Sequence, residues 1–235
     1  MAEQTTLIAL VSTAAALGVF HTLIGPDHYL PFVALSRNKN WSIFKTLLIT
    51  FGCGLAHTMS SVLIGCVGIF IGYSAGVLEE IEGGRADIVK WLLLGFAVAY
   101  ILYGIKRAMA CEVDGVHQHE GGVIHSHGGF VNHTHNAPIT SDASFWAIFI
   151  IFALGPCEIL IPLVVEPAAR GDWLGVWSIS LVFSVATIST MLVLVGSLVL
   201  GIKKINLPTS FFSRWSAVIT GVVILGCALF MFAGF

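Results

Sequence analysis

Three histidines and two carboxylates stand where the sequence is otherwise apolar. His21, Asp27 and His28 close the first apolar run, His57 lies inside Gly54-Leu55-Ala56-His57-Thr58, and Glu158 follows Gly155-Pro156-Cys157. A charged side chain at the centre of a membrane helix costs several kcal/mol, so groups kept there are functional by default. His21 and His28 are seven residues apart, about two helical turns, which puts both imidazoles on one face of a continuous helix. Pro26 removes a backbone donor between them. A break there would free carbonyls and bring Asp27 beside the imidazoles. Imidazole with carboxylate suits nickel, cobalt, zinc or iron(II), whereas magnesium and calcium prefer all-oxygen shells. The candidate membrane ligands are therefore His21, Asp27, His28, His57 and Glu158. Cys157 adjoins them in a secondary role, because a thiolate holds soft ions too tightly for ready release.

A second group of histidines lies in polar sequence. His117-Gln-His119, His125-Ser-His127 and His133-Thr-His135 form three His-x-His pairs that recur every eight residues, with Glu112, Asp114 and Glu120 nearby. Imidazoles one residue apart can chelate a divalent ion from an extended backbone, and a His-rich tract reads compositionally as metal binding. With its Gly-Gly steps and single Pro, this stretch need not fold alone.

The elements that must position these residues are set by composition. The chain has 235 residues, 57% hydrophobic and 10% charged, with a mean hydropathy of +0.92. Soluble domains carry roughly a quarter charged residues, so a soluble enzyme, a nucleic-acid module and a disulfide-stapled secreted domain are excluded. A bilayer span takes roughly 20 apolar residues. Six such runs are expected to be helices: Thr5 to Ile24, Thr46 to Tyr73, Trp91 to Ile105, Phe145 to Val165, Trp173 to Ile202 and Trp215 to Phe235. They are continuously apolar, unlike barrel strands, and a span must satisfy its own backbone in hydrocarbon. Trp41, Trp91, Trp146, Trp173 and Trp215 fall near span starts, where indole belts sit. The leader Met-Ala-Glu-Gln lacks positive charge, so the first run reads as a mature helix rather than a signal peptide.

Charge sets the expected orientation. Arg37, Lys39, Lys45, Lys106, Arg107, Lys203, Lys204 and Arg214 flank one side of the spans, and Arg85, Lys90 and Arg170 the other. The larger set marks the cytoplasmic side. Both termini are then outside a plasma or inner membrane, and the His-rich loop faces the cytoplasm. The halves also echo one another: Gly25-Pro26-Asp27-His28-Tyr29-Leu30-Pro31 answers Gly155-Pro156-Cys157-Glu158-Ile159-Leu160-Ile161-Pro162. Three helices per half make the second copy inverted, a plan that places substrate near the midplane on broken helices. The expected architecture is an all-α membrane protein of six helices as two inverted three-helix repeats, residues 1–108 and 144–235, joined by the His-rich loop 109–143.

The pattern His21-x5-Asp27-His28 at the end of a first span resembles the signature of the nickel–cobalt transporter superfamily, and Gly54-Leu55-Ala56-His57-Thr58 resembles its second-helix motif. Five residues between His21 and Asp27 place the likeness nearer to the efflux and urease-accessory branches than to the permeases. The resemblance implies a membrane transporter, not an enzyme, for nickel or cobalt, with zinc or iron as further cargo, and with export slightly favoured. Its partners would be the metal ion and the lipid bilayer, with no nucleic acid. The alternative is a thiol–disulfide electron carrier of the cytochrome c biogenesis type, suggested by Gly155-Pro156-Cys157 and Pro162. Disulfide exchange needs an attacking and a resolving thiol, and Asp27 stands where the second cysteine would be.

Overall fold

The computed structural model describes residues 2–72, 74–110, 141–157, 159–204 and 209–234, and these form helices joined by short turns. In chain order they are α1 (Ala2–Ile24), a single 3-10 turn (Pro26–His28), α2 (Leu30–Asn38), α3 (Ile43–Phe70), α4 (Ala75–Ala110), α5 (Ser141–Leu154), α6 (Leu160–Ala169), α7 (Trp173–Lys204) and α8 (Thr209–Phe232). Among the described residues, five stretches are long and apolar enough to cross a membrane: Leu7–Ile24, Ile43–Phe70, Ala75–Met109, Trp173–Ile202 and Arg214–Phe232. Such a set is compatible with a multi-pass membrane protein. The fourth expected span is not continuous. Gly155-Pro156-Cys157 divides it into α5 and α6, because proline cannot donate within a helix and its ring clashes with the preceding turn.

Local chemistry explains how the helices carry polar side chains. Ser42 caps α3, its hydroxyl accepting from the Lys45 amide at 3.2 Å. Within α3, Thr46, Thr50 and Thr58 donate to the carbonyls four residues back, which hides hydroxyls that hydrocarbon would otherwise penalise. The third expected span begins earlier than its apolar run. α4 starts at Ala75, so Arg85, counted from sequence among the charges flanking the spans, lies within a helix together with Glu82, which is fully buried. Trp41 also departs from expectation. It is buried with Phe32, Leu35 and Tyr100 in a core cluster, whereas Trp91, Trp146 and Trp173 are exposed.

α3 and α7 cross at the centre, and α4 packs along α8. Around them α1 lies on α7 and α5 on α3, while α2 touches α7 and α8 and α6 packs mainly on α7 and also touches α3 and α4. The α2 end is pinned by polar bonds. Asn38 Nδ2 donates to Tyr100 Oη at 2.6 Å, Ser216 Oγ donates to Asn38 Oδ1 at 2.9 Å, and Thr220 Oγ1 donates to the Ala34 carbonyl at 3.1 Å. Arg214 Nε donates to the Ala108 carbonyl at 3.0 Å, so the end of α4 and the start of α8 meet at one end of the bundle.

The α4–α8 seam closes on small residues. A Cβ on Gly104 would lie 2.6 Å from the Val218 amide nitrogen, and one on Gly221 would lie 2.9 Å from that of Ile101. Such close backbone approach is how membrane helices gain packing energy that lipid alone does not supply. Gly104→Ala and Gly221→Ala should each destabilise by about 1–3 kcal/mol, since overpacking must move a backbone. Gly95→Ala, on the same helix with open space around it, is the control. Unfolding in detergent micelles measures the difference, and equal stability of all three variants would contradict the seam.

Candidate metal centre

The first Gly-Pro step rotates the backbone so that successive polar residues face inward. The last regular bond of α1 runs from the Gly25 amide to the His21 carbonyl at 3.0 Å, and the 3-10 turn follows with His28 N to Gly25 O at 3.1 Å. His21 and His28 then meet edge to face, ring centroids 4.5 Å apart. Asp27 Oδ2 lies 3.3 Å from His28 Nδ1. His57 enters from α3, its ring 5.2 Å from His28 and 6.3 Å from His21, stacked parallel on the latter. Gly25 is required here by space rather than by dihedral angle: a Cβ would lie 2.6 Å from His28 Nδ1 and 3.0 Å from Asp27 Oδ1.

The second Gly-Pro step faces the same imidazoles from the other side. A Cβ on Gly155 would sit 2.9 Å from His57 Nδ1, so both breaks use glycine to let a histidine approach the backbone. Cys157 Sγ lies 3.5 Å from His57 Nε2. The ligand atoms of His21, His57 and Cys157 all fall within 4.8 Å of one another. His28, His57 and Cys157 are buried. Among the described residues, His21 Nε2 and His28 Nε2 are buried with no hydrogen-bond partner.

This break leaves backbone groups unpaired, and α4 and α3 supply their partners. Arg85 Nη2 donates to the Ala153 and Gly155 carbonyls at 3.4 and 3.2 Å and to Ser60 Oγ at 2.8 Å. Its Nη1 donates to Glu82 Oε1 in a close ion pair. The Cys157 amide donates to Ser61 Oγ at 2.9 Å and Glu82 Oε2 at 3.2 Å, and Ser61 Oγ donates to Glu82 Oε2 at 3.0 Å. A guanidinium thus serves the ending helix and a carboxylate serves the beginning one, each matched to the local helix-end dipole.

A cavity of about 450 Å³ opens onto the site. Its floor includes His21, Asp27, His28 and His57. Its outer wall comprises Ala86, Val89 and Lys90 of α4 with Met231 and Gly234 at the end of α8. These lie at the end of the bundle opposite Ala108 and Arg214. Lys90 is paired with Asp87 at 3.1 Å. On the far side Phe152 packs on Phe32 at 4.8 Å between centroids and sits 6.1 Å from His57, between the histidines and the cluster that holds Trp41 and Tyr100.

The structure therefore brings together His21, Asp27, His28, His57 and Cys157. Two expectations change. His21 is not a turn or two removed but in ring contact with both other histidines, and Cys157 is not peripheral but within reach of two imidazoles. Glu158 and the loop histidines His117, His119, His125, His127, His133 and His135 lie outside the described residues. Glu82 and Arg85 were missed as site residues: Arg85 was counted only for orientation, and Glu82 was not singled out. The signal that finds them is an opposite-charge pair at i,i+3 just before an apolar helix, opposite Ser60 and Ser61 one turn beyond His57. No protein family, curated protein or solved structure matches this chain.

Removing one member of a buried ion pair strands the other. Arg85→Ala should destabilise by about 3–5 kcal/mol, and Glu82→Gln/Arg85→Gln by less than the sum of its single changes. Denaturation in micelles by a double-mutant cycle checks this; strict additivity would show that the pair does not act as a unit.

Proposed function

We propose that the protein is a membrane transporter for divalent transition-metal ions, nickel and cobalt foremost, with export favoured. One observation carries the reading: three imidazoles from two separate segments and one carboxylate converge on a cavity inside a bundle of otherwise apolar helices. Unpartnered buried nitrogens cost on the order of 1–3 kcal/mol each, and a metal ion relieves that cost. The C-terminal ends of α1 and α5 point their carbonyl dipoles at the same place, which favours a cation.

Several of the helix contacts fit two inverted repeats, although the α4–α5 contact has no α8–α1 counterpart of similar extent. Exchanging α1, α2, α3 and α4 for α5, α6, α7 and α8 converts the α1–α7 contact into α5–α3, and α2–α8 into α6–α4. It leaves the α3–α7 and α4–α8 pairs as they are. Under this plan the cavity opens to the outside face, and Phe32 with Phe152 closes the path to the cytoplasm. The His-rich loop, placed on the cytoplasmic side by the Lys/Arg distribution, collects ions from the interior. The neutral imidazoles it uses become protonated below roughly pH 6, so collection weakens there.

Purified protein in proteoliposomes should carry nickel and cobalt ahead of manganese and magnesium. Asp27→Asn and His57→Ala should each lower flux at least about tenfold, as loss of metal-site groups does. Flux unaltered by both changes would defeat the reading.

Deleting 117–135 should lower apparent affinity yet leave flux at high metal concentration, and complete loss in a folded deletion would put the loop in the pathway itself. Single cysteines near position 125 should label only from the cytoplasm and those near position 80 only from outside; the reverse would overturn the orientation.

A further inference from the structure

The carboxylate–imidazole pair at the cavity and the cysteine behind it are not equivalent ligands. His21, Asp27, His28 and His57 line the open cavity, whereas Cys157 is fully buried in a cluster with Val62, Leu160 and Phe183. At metal–ligand distances of about 2.0–2.3 Å, two ligands of one tetrahedral ion lie roughly 3.3–3.8 Å apart. His57 Nε2 and Cys157 Sγ, at 3.5 Å, already have that spacing. His21 Nε2 carries no competing hydrogen bond, and the three ligand atoms lie within 4.8 Å of one another, so a small inward movement of His21 completes the set.

The sulfur is presented rather than merely packed. The Cys157 amide is fixed by Ser61 and Glu82, and the preceding carbonyls by Arg85. These contacts fix the backbone from which Sγ projects toward His57.

We propose that Cys157 is a ligand of the ion and sets its class. The ion enters through the cavity beside Asp27 and His28 and is held by a two-nitrogen, one-sulfur set of His21, His57 and Cys157, in which the buried sulfur is the innermost ligand. That set selects thiophilic ions such as cobalt(II), nickel and zinc over magnesium, calcium and manganese, because thiolate favours soft and borderline ions and hard ions require oxygen. Binding forms an S–metal bond and breaks the S–H bond. The proton leaves through the cavity to water, no electron is transferred, and loading therefore strengthens as pH rises. The thiolate together with Asp27 offsets both charges of a divalent ion; among the described residues the other ionic groups at the site, Glu82 with Arg85 and Asp87 with Lys90, are already paired. The word cargo rests on the transport reading, whereas the ligand set rests on geometry.

Cobalt(II) is the probe, because sulfur ligation gives an intense near-ultraviolet charge-transfer band that nitrogen and oxygen ligands in the His-rich loop do not give. Detergent-solubilised full-length protein carrying Cys111→Ser should show the band on adding cobalt. Cys157→Ser should abolish it and weaken the residual cobalt binding at this site about tenfold or more, while Asp27→Asn keeps the band. Zinc should displace it, and a large excess of magnesium or manganese should not. A protein in which Cys53, Cys66, Cys111 and Cys227 are all replaced must retain the band, which covers the case of a Cys157→Ser chain that fails to fold. A band that survives Cys157→Ser, or its absence from the chain that keeps only Cys157, overturns the proposal. Equilibrium binding is read here without flux, so a protein that binds cobalt through sulfur but transports nothing would refute the transport reading alone.

Discussion

The structure depends on how one interrupted backbone is satisfied away from water. Every amide and carbonyl in an apolar surrounding needs a partner, and the Gly155-Pro156-Cys157 step breaks the ladder that would provide them. Arg85 and Glu82 take over that duty from a neighbouring helix, with Ser60 and Ser61 filling the remaining valences. Their charges neutralise each other, so the cost of burying them is offset within the same cluster. Because the clamp joins α3, α4, α5 and α6, the position of Cys157 against His57 is fixed by residues that touch neither side chain's reactive end.

The first break is solved differently. At Gly25-Pro26 the chain forms one 3-10 turn, and the polar side chains that follow it stay close to their own backbone, with Asp27 against His28. This arrangement leaves imidazole nitrogens without partners, whereas the second break leaves none of the clamped backbone groups unpaired. The two breaks are thus unequal in chemistry although both put glycine beside a histidine ring. One side of the site is strongly held, and the other carries the unsatisfied donor atoms that a bound ion can use.

The cavity adds a directional constraint. Its wall is made from the start of α4 and the end of α8, while the opposite end of the bundle is closed by aromatic packing around Phe32 and Phe152 and by the polar bonds that pin Asn38 to Tyr100 and Ser216. The cavity reaches the histidines from the side of the α4 start and the α8 end. A rearrangement that opened the other side would have to separate α2 from α5 at the aromatic pair and loosen the Asn38 contacts.

The all-helical character, the span limits of α1, α3, α7 and α8, and the Gly-Pro breaks were legible in the sequence, because continuous apolarity and proline act locally on the backbone. His21, Asp27, His28 and His57 were legible as candidates for a related reason: polar groups in apolar runs are conspicuous wherever they point. The true start of α4 was not legible, since charges next to paired glycines look the same in a loop and in a helix whose polar turn is buried. Nor was Trp41, whose belt-like position along the chain gives way to burial among Phe32, Leu35 and Tyr100. What only the tertiary structure decided was proximity across the chain. Cys157 meets His57 from 100 residues away and the Glu82 carboxylate from 75. Those distances are set by α3 and α4 packing around the break, and no local pattern in the sequence encodes which partner a broken helix will find.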